Sequence, residues 1–126
     1  MKLTGRAIYQ GKAEGVALVS TTPMSFYGGV NPDTGEIIEN GHELKGQSVK
    51  GRVLVFPHGK GSTVGSYVMY RLARNRVAPC AIVNSNCETI VAVGAIISEI
   101  PCVDKIDIGE IRPNATVRVD GASVEF

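Results

Sequence analysis

The chain has 126 residues with a formal net charge of +1, and 44% of them are hydrophobic. This length suits one domain, and the apolar content can build a core without disulfide or metal staples. No apolar stretch is long enough to cross a membrane, and the first residues lack the apolar run of a signal peptide, so we expect a cytoplasmic protein.

The first third of the chain combines two β-type runs with a long loop. Residues 3–9 and 15–19 are separated by glycines, which predicts a hairpin. The loop over residues 21–35 is dense in turn residues and contains a double glycine and an aromatic pair. Long loops inside compact domains are usually functional or disordered. We expect this loop to bear function, the alternative being that it only packs.

The middle of the chain alternates apolar strands with helices. Residues 52–56 and 79–83 are continuous apolar runs, and 63–75 and 88–98 have the composition and spacing of helices. A third short strand begins at Cys102. This order of strands and helices predicts a right-handed parallel unit.

Further β-type segments at the end of the chain predict an added layer. Residues 116–121 and 123–126 indicate a closing hairpin with its turn at Asp120-Gly121. Together with the first strands they would form a sheet or barrel layer. We therefore expect a single α/β domain over residues 1–126, of a mixed β/β/α type.

Charge is distributed unevenly along the chain. The segment 44–87 contains seven basic residues and no acidic residue, whereas the rest carries a net charge of −6. Such a segment points to an anionic ligand or an acidic partner, the alternative being a solvated helix face. Because aromatic residues are few and not interleaved with the basic ones, nucleic acid is not an expected partner.

Three cysteines, Cys80, Cys87 and Cys102, form neither a CxxC pair nor a common zinc pattern. Their odd number argues against a disulfide framework. One alternative is that the three thiolates hold the irons of an iron–sulfur cluster. The other, which we favour, is that they are small hydrophobic residues, since Cys80 and Cys87 flank an apolar run.

The turn Gly59-Lys60-Gly61-Ser62 lies between a buried strand and a helix start, where open α/β sheets bind ligands. Its glycines allow close backbone approach, the helix-start amides attract anions, and Lys60 adds a positive charge. Ser62 is either functional or a helix N-cap. The pattern is neither a P-loop nor a nucleophile elbow. His58 is a competing candidate for a general base or a phosphorylated histidine.

Two motifs resemble the swivel domain of the aconitase X family. The first is the loop PMSFYGGVNPDTG at residues 23–35, and the second is the strand and serine turn at residues 51–62. The likeness continues through Ser66 and Tyr67 and through residues 79–83, 94–97 and 100–103, and it covers nearly the whole chain. It implies a swivelling domain like domain 4 of aconitase, with a barrel-like β layer and flanking helices.

The resemblance also implies an activity. The family eliminates water from a hydroxy acid with a 4Fe-4S cluster in a larger subunit or domain. For a separate archaeal small chain it implies dehydration of (R)-5-phosphomevalonate to trans-anhydromevalonate 5-phosphate, in a modified mevalonate route to isoprenoids. The chain would act as a heterodimer with a large subunit that binds the cluster. Alternatives are a subunit for another hydroxy acid, such as a hydroxyproline, and a non-catalytic binding or phosphocarrier module.

A more distant likeness to aconitase itself maps its proton-abstracting serine onto Ser62. Aconitase continues Ser-Arg-Glu, whereas Thr63 and Val64 follow here, so a tricarboxylic acid is not the expected substrate. The resemblance thus implies that Ser62 is the catalytic base. The expected substrate-binding residues come from the serine turn and the long loop: Lys60, Gly61, Ser25, Phe26, Gly28 and Gly29.

Overall fold

The computed structural model describes residues 1–126, which form eight strands and two α-helices. The strands are β1 Lys2–Thr4, β2 Arg6–Tyr9, β3 Lys12–Val19, β4 Val53–Phe56, β5 Ala81–Asn84, β6 Cys102–Asp104, β7 Thr116–Asp120 and β8 Ser123–Glu125. The helices are α1 Gly65–Arg74 and α2 Thr89–Ser98, and a short 3-10 helix spans Ile108–Glu110. No helix is long and apolar enough to cross a membrane.

All eight strands belong to one sheet with the order β1-β8-β7-β3-β4-β5-β6-β2. The four central strands β3, β4, β5 and β6 pair in parallel, whereas β1, β8, β7 and β2 join by antiparallel pairs. The parallel strand–helix unit expected in the middle of the chain is therefore present. The architecture is mixed α/β, as the sequence predicts.

The predicted N-terminal hairpin is wrong. Strand β1 pairs with β8, β2 pairs with β6, and β3 lies between β7 and β4. The first β-type run is divided at Gly5, whose amide donates to the carbonyl of Ala122 over 2.8 Å. A Cβ at Gly5 would overlap the carbonyl oxygen of Asp104. The backbone thus passes at Gly5 from one edge of the sheet to the other, which curls the sheet into a barrel-like layer.

Alternating side chains of the central strands serve two cores. In β4, Val53 and Val55 join one cluster with Val117 and Val119 of β7. Leu54 and Phe56 of the same strand join a second cluster that contains buried residues of both helices and of the long loop. Successive side chains of a strand point to opposite faces, and both faces of β4 are buried. The sequence of β4 is therefore a continuous apolar run without polar residues in alternation.

The ends of the elements differ slightly from the sequence expectation. Helix α1 begins at Gly65, and its N-cap position is held by Val64. Helix α2 begins at Thr89, and the Glu88 carboxylate caps it by accepting from the amides of the first turn. The closing hairpin is confirmed, but Asp120 pairs with Ser123, so the turn residues are Gly121 and Ala122.

Candidate active site

The serine turn and the long loop lie side by side. Met24 and Gly59 form a parallel bridge just beyond the end of β4. The Met24 amide donates to the His58 carbonyl over 3.2 Å, and the Lys60 amide donates to the Met24 carbonyl over 3.0 Å. The two stretches that carry the family resemblance are therefore joined by backbone hydrogen bonds, at the carboxyl end of a parallel strand where ligands bind in α/β sheets.

Glycine is required at two positions where these segments meet. Gly61 has a φ of +88°, and a Cβ there would lie 2.6 Å from the Ser25 hydroxyl oxygen. A Cβ at Gly29 would overlap the Ser25 carbonyl oxygen. Side chains at these positions would force the loop away from the turn, so the glycines permit the close packing of the two segments.

The two segments enclose a pocket of about 310 Å³. Its lining consists of Ser25, Tyr27, Gly28, Gly29, Glu39, Lys60 and Gly61. Five of these are residues that the sequence predicts for substrate binding. Phe26, expected with them, lies elsewhere: it is 2% exposed and packs edge-on against Phe56 with ring centroids 6.1 Å apart. Phe26 thus anchors the loop to the core and does not line the pocket.

Ser62 stands between this pocket and an apolar groove. Gly61 lines the pocket, whereas Thr63 lines the groove. The exposed Ser62 hydroxyl accepts a hydrogen bond from the Val64 amide over 3.1 Å. Ser62 is not the N-cap of α1, as the sequence would allow, because two further residues precede the helix. Its oxygen nevertheless accepts from an amide at the helix start.

His58 does not activate Ser62. Its ring Nδ1 lies 2.8 Å from the carbonyl oxygen of Gly59, and the imidazole makes no hydrogen bond to the serine. The Ser62 hydroxyl also has no carboxylate partner. A charge-relay triad is therefore not the arrangement at this turn, and any basicity of the serine has to come from groups that stabilise its alkoxide.

The Lys60 ammonium is paired with a residue that sequence reasoning missed. Lys60 Nζ lies 2.9 Å from Glu39 Oε2, and their side chains are 48% and 24% exposed. The other carboxylate oxygen, Oε1, is buried and accepts no hydrogen bond. Glu39 carries no motif, and only the fold of the long loop brings it to the pocket across 21 residues.

A second polar cluster fixes the base of the long loop. Glu43 Oε1 accepts from the amide and hydroxyl of Thr21 over 2.6 and 2.9 Å and from the Ser20 hydroxyl over 3.0 Å. Desolvation opposes ionisation, but these hydrogen bonds outweigh it and lower the pKa of Glu43. His42 Nδ1 accepts from the Leu44 amide, and Ser20 is fully buried. The Ser20–His42–Glu43 cluster therefore holds the loop and presents no accessible nucleophile.

The basic residues of segment 44–87 serve separate purposes. Arg52 donates to the carbonyls of Val16 and Ala17 and so ties β4 to β3. Arg71 of α1 lies 3.5 Å from Asp33 of the long loop. Of the seven cations, only Lys60 lines the pocket. The basic segment therefore does not form one anion site: Arg52 and Arg71 make structural contacts, and Lys60 is its cation in the pocket.

An exposed apolar surface begins directly after Ser62. A groove of about 370 Å³ between the helices is lined by Thr63, Val64, Ser66, Tyr67, Thr89, Ile90 and Val93. Tyr67 is 67% exposed, and Ile96 on the following turn of α2 is 49% exposed. Contiguous exposed apolar side chains of this kind mark interaction surfaces.

The residues of this chain do not fit a metal cluster. No group of three or more His, Cys, Asp or Glu side chains could hold a metal ion. A hydrogen bond with Cys87 and burial raise the pKa of the Cys102 thiol, and burial raises the pKa of the Cys80 thiol. Both therefore favour the protonated form, whereas cluster ligands are thiolates.

Fold and pocket together define an α/β swivelling domain with a glycine–serine turn at the carboxyl end of a parallel sheet. The chain belongs to the aconitase X swivel domain family, whose sequence profile matches residues 2–126.

Three comparisons describe its relatives. A phosphomevalonate dehydratase small subunit of Thermococcus kodakarensis is 54% identical over 125 residues, which are 99% of this chain and 94% of that protein. One of Methanosarcina acetivorans is 55% identical, over 97% of this chain and 87% of that protein. The crystal structure of Thermococcus kodakaraensis aconitase X in its holo-form superposes with a TM-score of 0.97 at 53% identity, over 99% of this chain and 97% of that one.

Proposed function

We propose that this chain is the small subunit of a phosphomevalonate dehydratase, a hydro-lyase that converts (R)-5-phosphomevalonate into trans-anhydromevalonate 5-phosphate. The observation that carries the proposal is the shared name of relatives 51–57% identical to the chain over nearly its full length. The pocket beside Ser62 supports it, because a catalytic subunit needs a ligand site at this turn.

The chemistry assigned to Ser62 is removal of a proton. In the elimination, the C–H bond next to the substrate carboxylate breaks, its electron pair forms the alkene, and the C–O bond of the neighbouring carbon breaks so that the hydroxyl leaves as hydroxide. The proton taken up by the serine then returns to this hydroxide, so that the products are the alkene and one water. The Ser62 oxygen would accept the proton. An unassisted serine is a poor base, but the Val64 amide already donates to this oxygen over 3.1 Å. At a helix start, such an amide stabilises negative charge on the oxygen.

The pocket supplies the contacts for an anionic substrate. The proposed substrate carries a carboxylate and a phosphate, and Lys60 is the cation that lines the pocket. Gly28, Gly29 and Gly61 leave the backbone open to close approach by substrate oxygens. We assign Ser25 to the same wall, because its side chain faces Gly61 across the pocket rim.

The 4Fe-4S cluster that the family resemblance implies is assigned to the large subunit. The side chains of this chain do not form a ligand set for it. The proposed contribution of this chain is to bind one end of the substrate and to remove the proton.

The large subunit is the proposed partner, and the groove between α1 and α2 is its proposed contact. The name small subunit in the relatives implies a larger companion. Because Thr63 and Val64 of the groove follow Ser62 directly, a chain that encloses the serine turn would also cover these residues. Enclosure would exclude water and strengthen the charge interactions around the serine.

The test is an assay of the assembled enzyme. The chain is co-purified under anaerobic conditions with its proposed large subunit and incubated with (R)-5-phosphomevalonate, and the alkene product is followed by NMR. Hydroxyproline serves as the competing substrate. We expect dehydration of phosphomevalonate alone. Turnover of hydroxyproline instead would assign the chain to another dehydratase, and absence of turnover with stable phosphate on His58 would indicate a phosphocarrier.

A further inference from the structure

We infer that Glu39 is a positioning residue, which holds the Lys60 ammonium over the pocket for an anionic group of the substrate. The inference rests on the proposed function, because its readout is turnover of phosphomevalonate. A carboxylate at the edge of the pocket repels a substrate that carries two anionic groups, so the presence of Glu39 there needs a reason.

Both members of the pair are held by backbone contacts that do not depend on the pair itself. The Ile38 amide donates to the Gly29 carbonyl over 2.8 Å, and Ile37 is buried in the core, which fixes the backbone beside Glu39. The Lys60 backbone is bonded to Met24. The ion pair therefore joins two segments whose backbones are already held by hydrogen bonds, and it fixes the position of the lysine side chain between them.

The geometry of the pair leaves donors free for the substrate. A lysine ammonium has three N–H donors, and one of them is directed to Glu39 Oε2 at 2.9 Å. With this donor fixed, the ammonium keeps its position before substrate arrives and offers its remaining donors to the pocket. Ordering a long side chain in advance removes an entropic cost from binding.

Stability does not account for Glu39. Its Oε1 is buried against Gly29, 3.2 Å from the site that a Cβ there would occupy, and accepts no hydrogen bond. A buried charged oxygen without a donor is unfavourable in the folded state. The exposed part of the Lys60 pair stabilises little in return. A residue whose ion pair contributes little to stability and fixes the pocket cation fits a role in binding.

The experiment measures kcat and KM of the complete two-subunit enzyme with phosphomevalonate. We expect Glu39→Ala to lower kcat/KM by roughly tenfold, chiefly through KM, because a displaced ammonium weakens substrate binding. Glu39→Gln should recover most of the loss, since its amide oxygen still accepts from Nζ. Glu36→Ala, an exposed carboxylate of the same segment without an ion pair, is the matched control and should leave kinetics unchanged.

A double-mutant cycle distinguishes positioning from an independent role. If Glu39 acts through Lys60, Glu39→Ala has no further effect in a Lys60→Met background. An equal loss in that background would overturn the inference, as would wild-type kcat/KM in Glu39→Ala. A Glu39→Gln variant as impaired as the alanine would show that a hydrogen bond to Lys60 Nζ does not account for the effect, and would also overturn the inference. If instead the wild-type complex fails to dehydrate phosphomevalonate, the proposed function falls, which the unmutated control reveals.

Discussion

Replacement of Ser62 by alanine separates a catalytic hydroxyl from a structural one. The side chain is exposed, and its oxygen accepts one hydrogen bond, from the Val64 amide at 3.1 Å. A typical hydrogen bond contributes about 0.5–1.5 kcal/mol to stability, and water can replace this one at the surface. We therefore expect the free energy of unfolding to change by less than about 1 kcal/mol, with a shift in Tm of a few degrees at most.

The effect of Ser62→Ala on turnover should be much larger than its effect on stability. A positioned general base contributes roughly 10²–10⁴-fold to the rate, so Ser62→Ala should lower kcat of the assembled enzyme by about that factor. The assay pairs thermal melting of the isolated chain with anaerobic turnover of the complex, and gel filtration confirms that both subunits remain associated.

Ser66 provides a matched control four residues along the chain. Its buried hydroxyl donates to the Ile90 carbonyl over 2.6 Å and so joins the two helices. Ser66 also lines the groove proposed to contact the large subunit, but it is only 5% exposed. Ser66→Ala should therefore lower stability by roughly 1–3 kcal/mol while leaving turnover near normal below its melting range, in a complex that gel filtration shows to be assembled. Near-normal turnover in Ser62→Ala would refute the assignment of the base, and loss of turnover in both variants alike would point to general disturbance of the turn.

Three further outcomes are expected. Lys60→Met should lower kcat/KM, because the pocket loses its cation, but leave Tm almost unchanged, since its ion pair is exposed; unchanged kinetics would make Lys60 a surface charge only. Desolvation alone would raise the pKa of Asp104, but hydrogen bonds from Arg6 and the Cys87 amide hold it below its ordinary value. That stabilisation is complete above the ordinary carboxyl pKa of about 3.9 and is lost as the pH falls through the lowered pKa of the folded state. The stability of Asp104→Asn should therefore depend less on pH in this acid range than that of the wild type. Identical acid unfolding curves for the two proteins would contradict this. Anaerobic reconstitution of the isolated chain with iron and sulfide should give no stoichiometric cluster absorbance, because the chain offers no ligand set; a bound cluster would show that the cysteines rearrange.

Local patterns in the sequence were sufficient to predict the parallel strand–helix unit in the middle of the chain. The apolar run of β4, the glycine-rich turn and the helix after it are contiguous, so periodicity and turn chemistry predict them directly. The family resemblance added the assignment of substrate-binding residues to the serine turn and the long loop. Five of the seven pocket residues followed from these two stretches.

What the sequence could not provide depends on contacts between distant residues. In the sequence, Gly5 is a single glycine inside one β-type run. Its role as the boundary between two strands depends on its contacts with Asp104 and Ala122, which are distant in the chain. Phe26 reads as a loop aromatic, yet its partner Phe56 lies 30 residues away and takes it into the core. Glu39 reaches Lys60 through the loop fold, which no local spacing encodes.

The pairing of β1 with β8 has a consequence for how the chain acquires its fold. During synthesis, β1 leaves the ribosome more than a hundred residues before its partner β8 (Lys2 pairs with Glu125). Such non-local pairing slows folding, so β4, α1 and β5 can assemble while β1 still has an unsatisfied edge. An open strand edge is a template for pairing with another chain. The nascent protein is therefore prone to aggregation in the interval before the β7–β8 hairpin forms, and slower pairing of β8 would lengthen that interval.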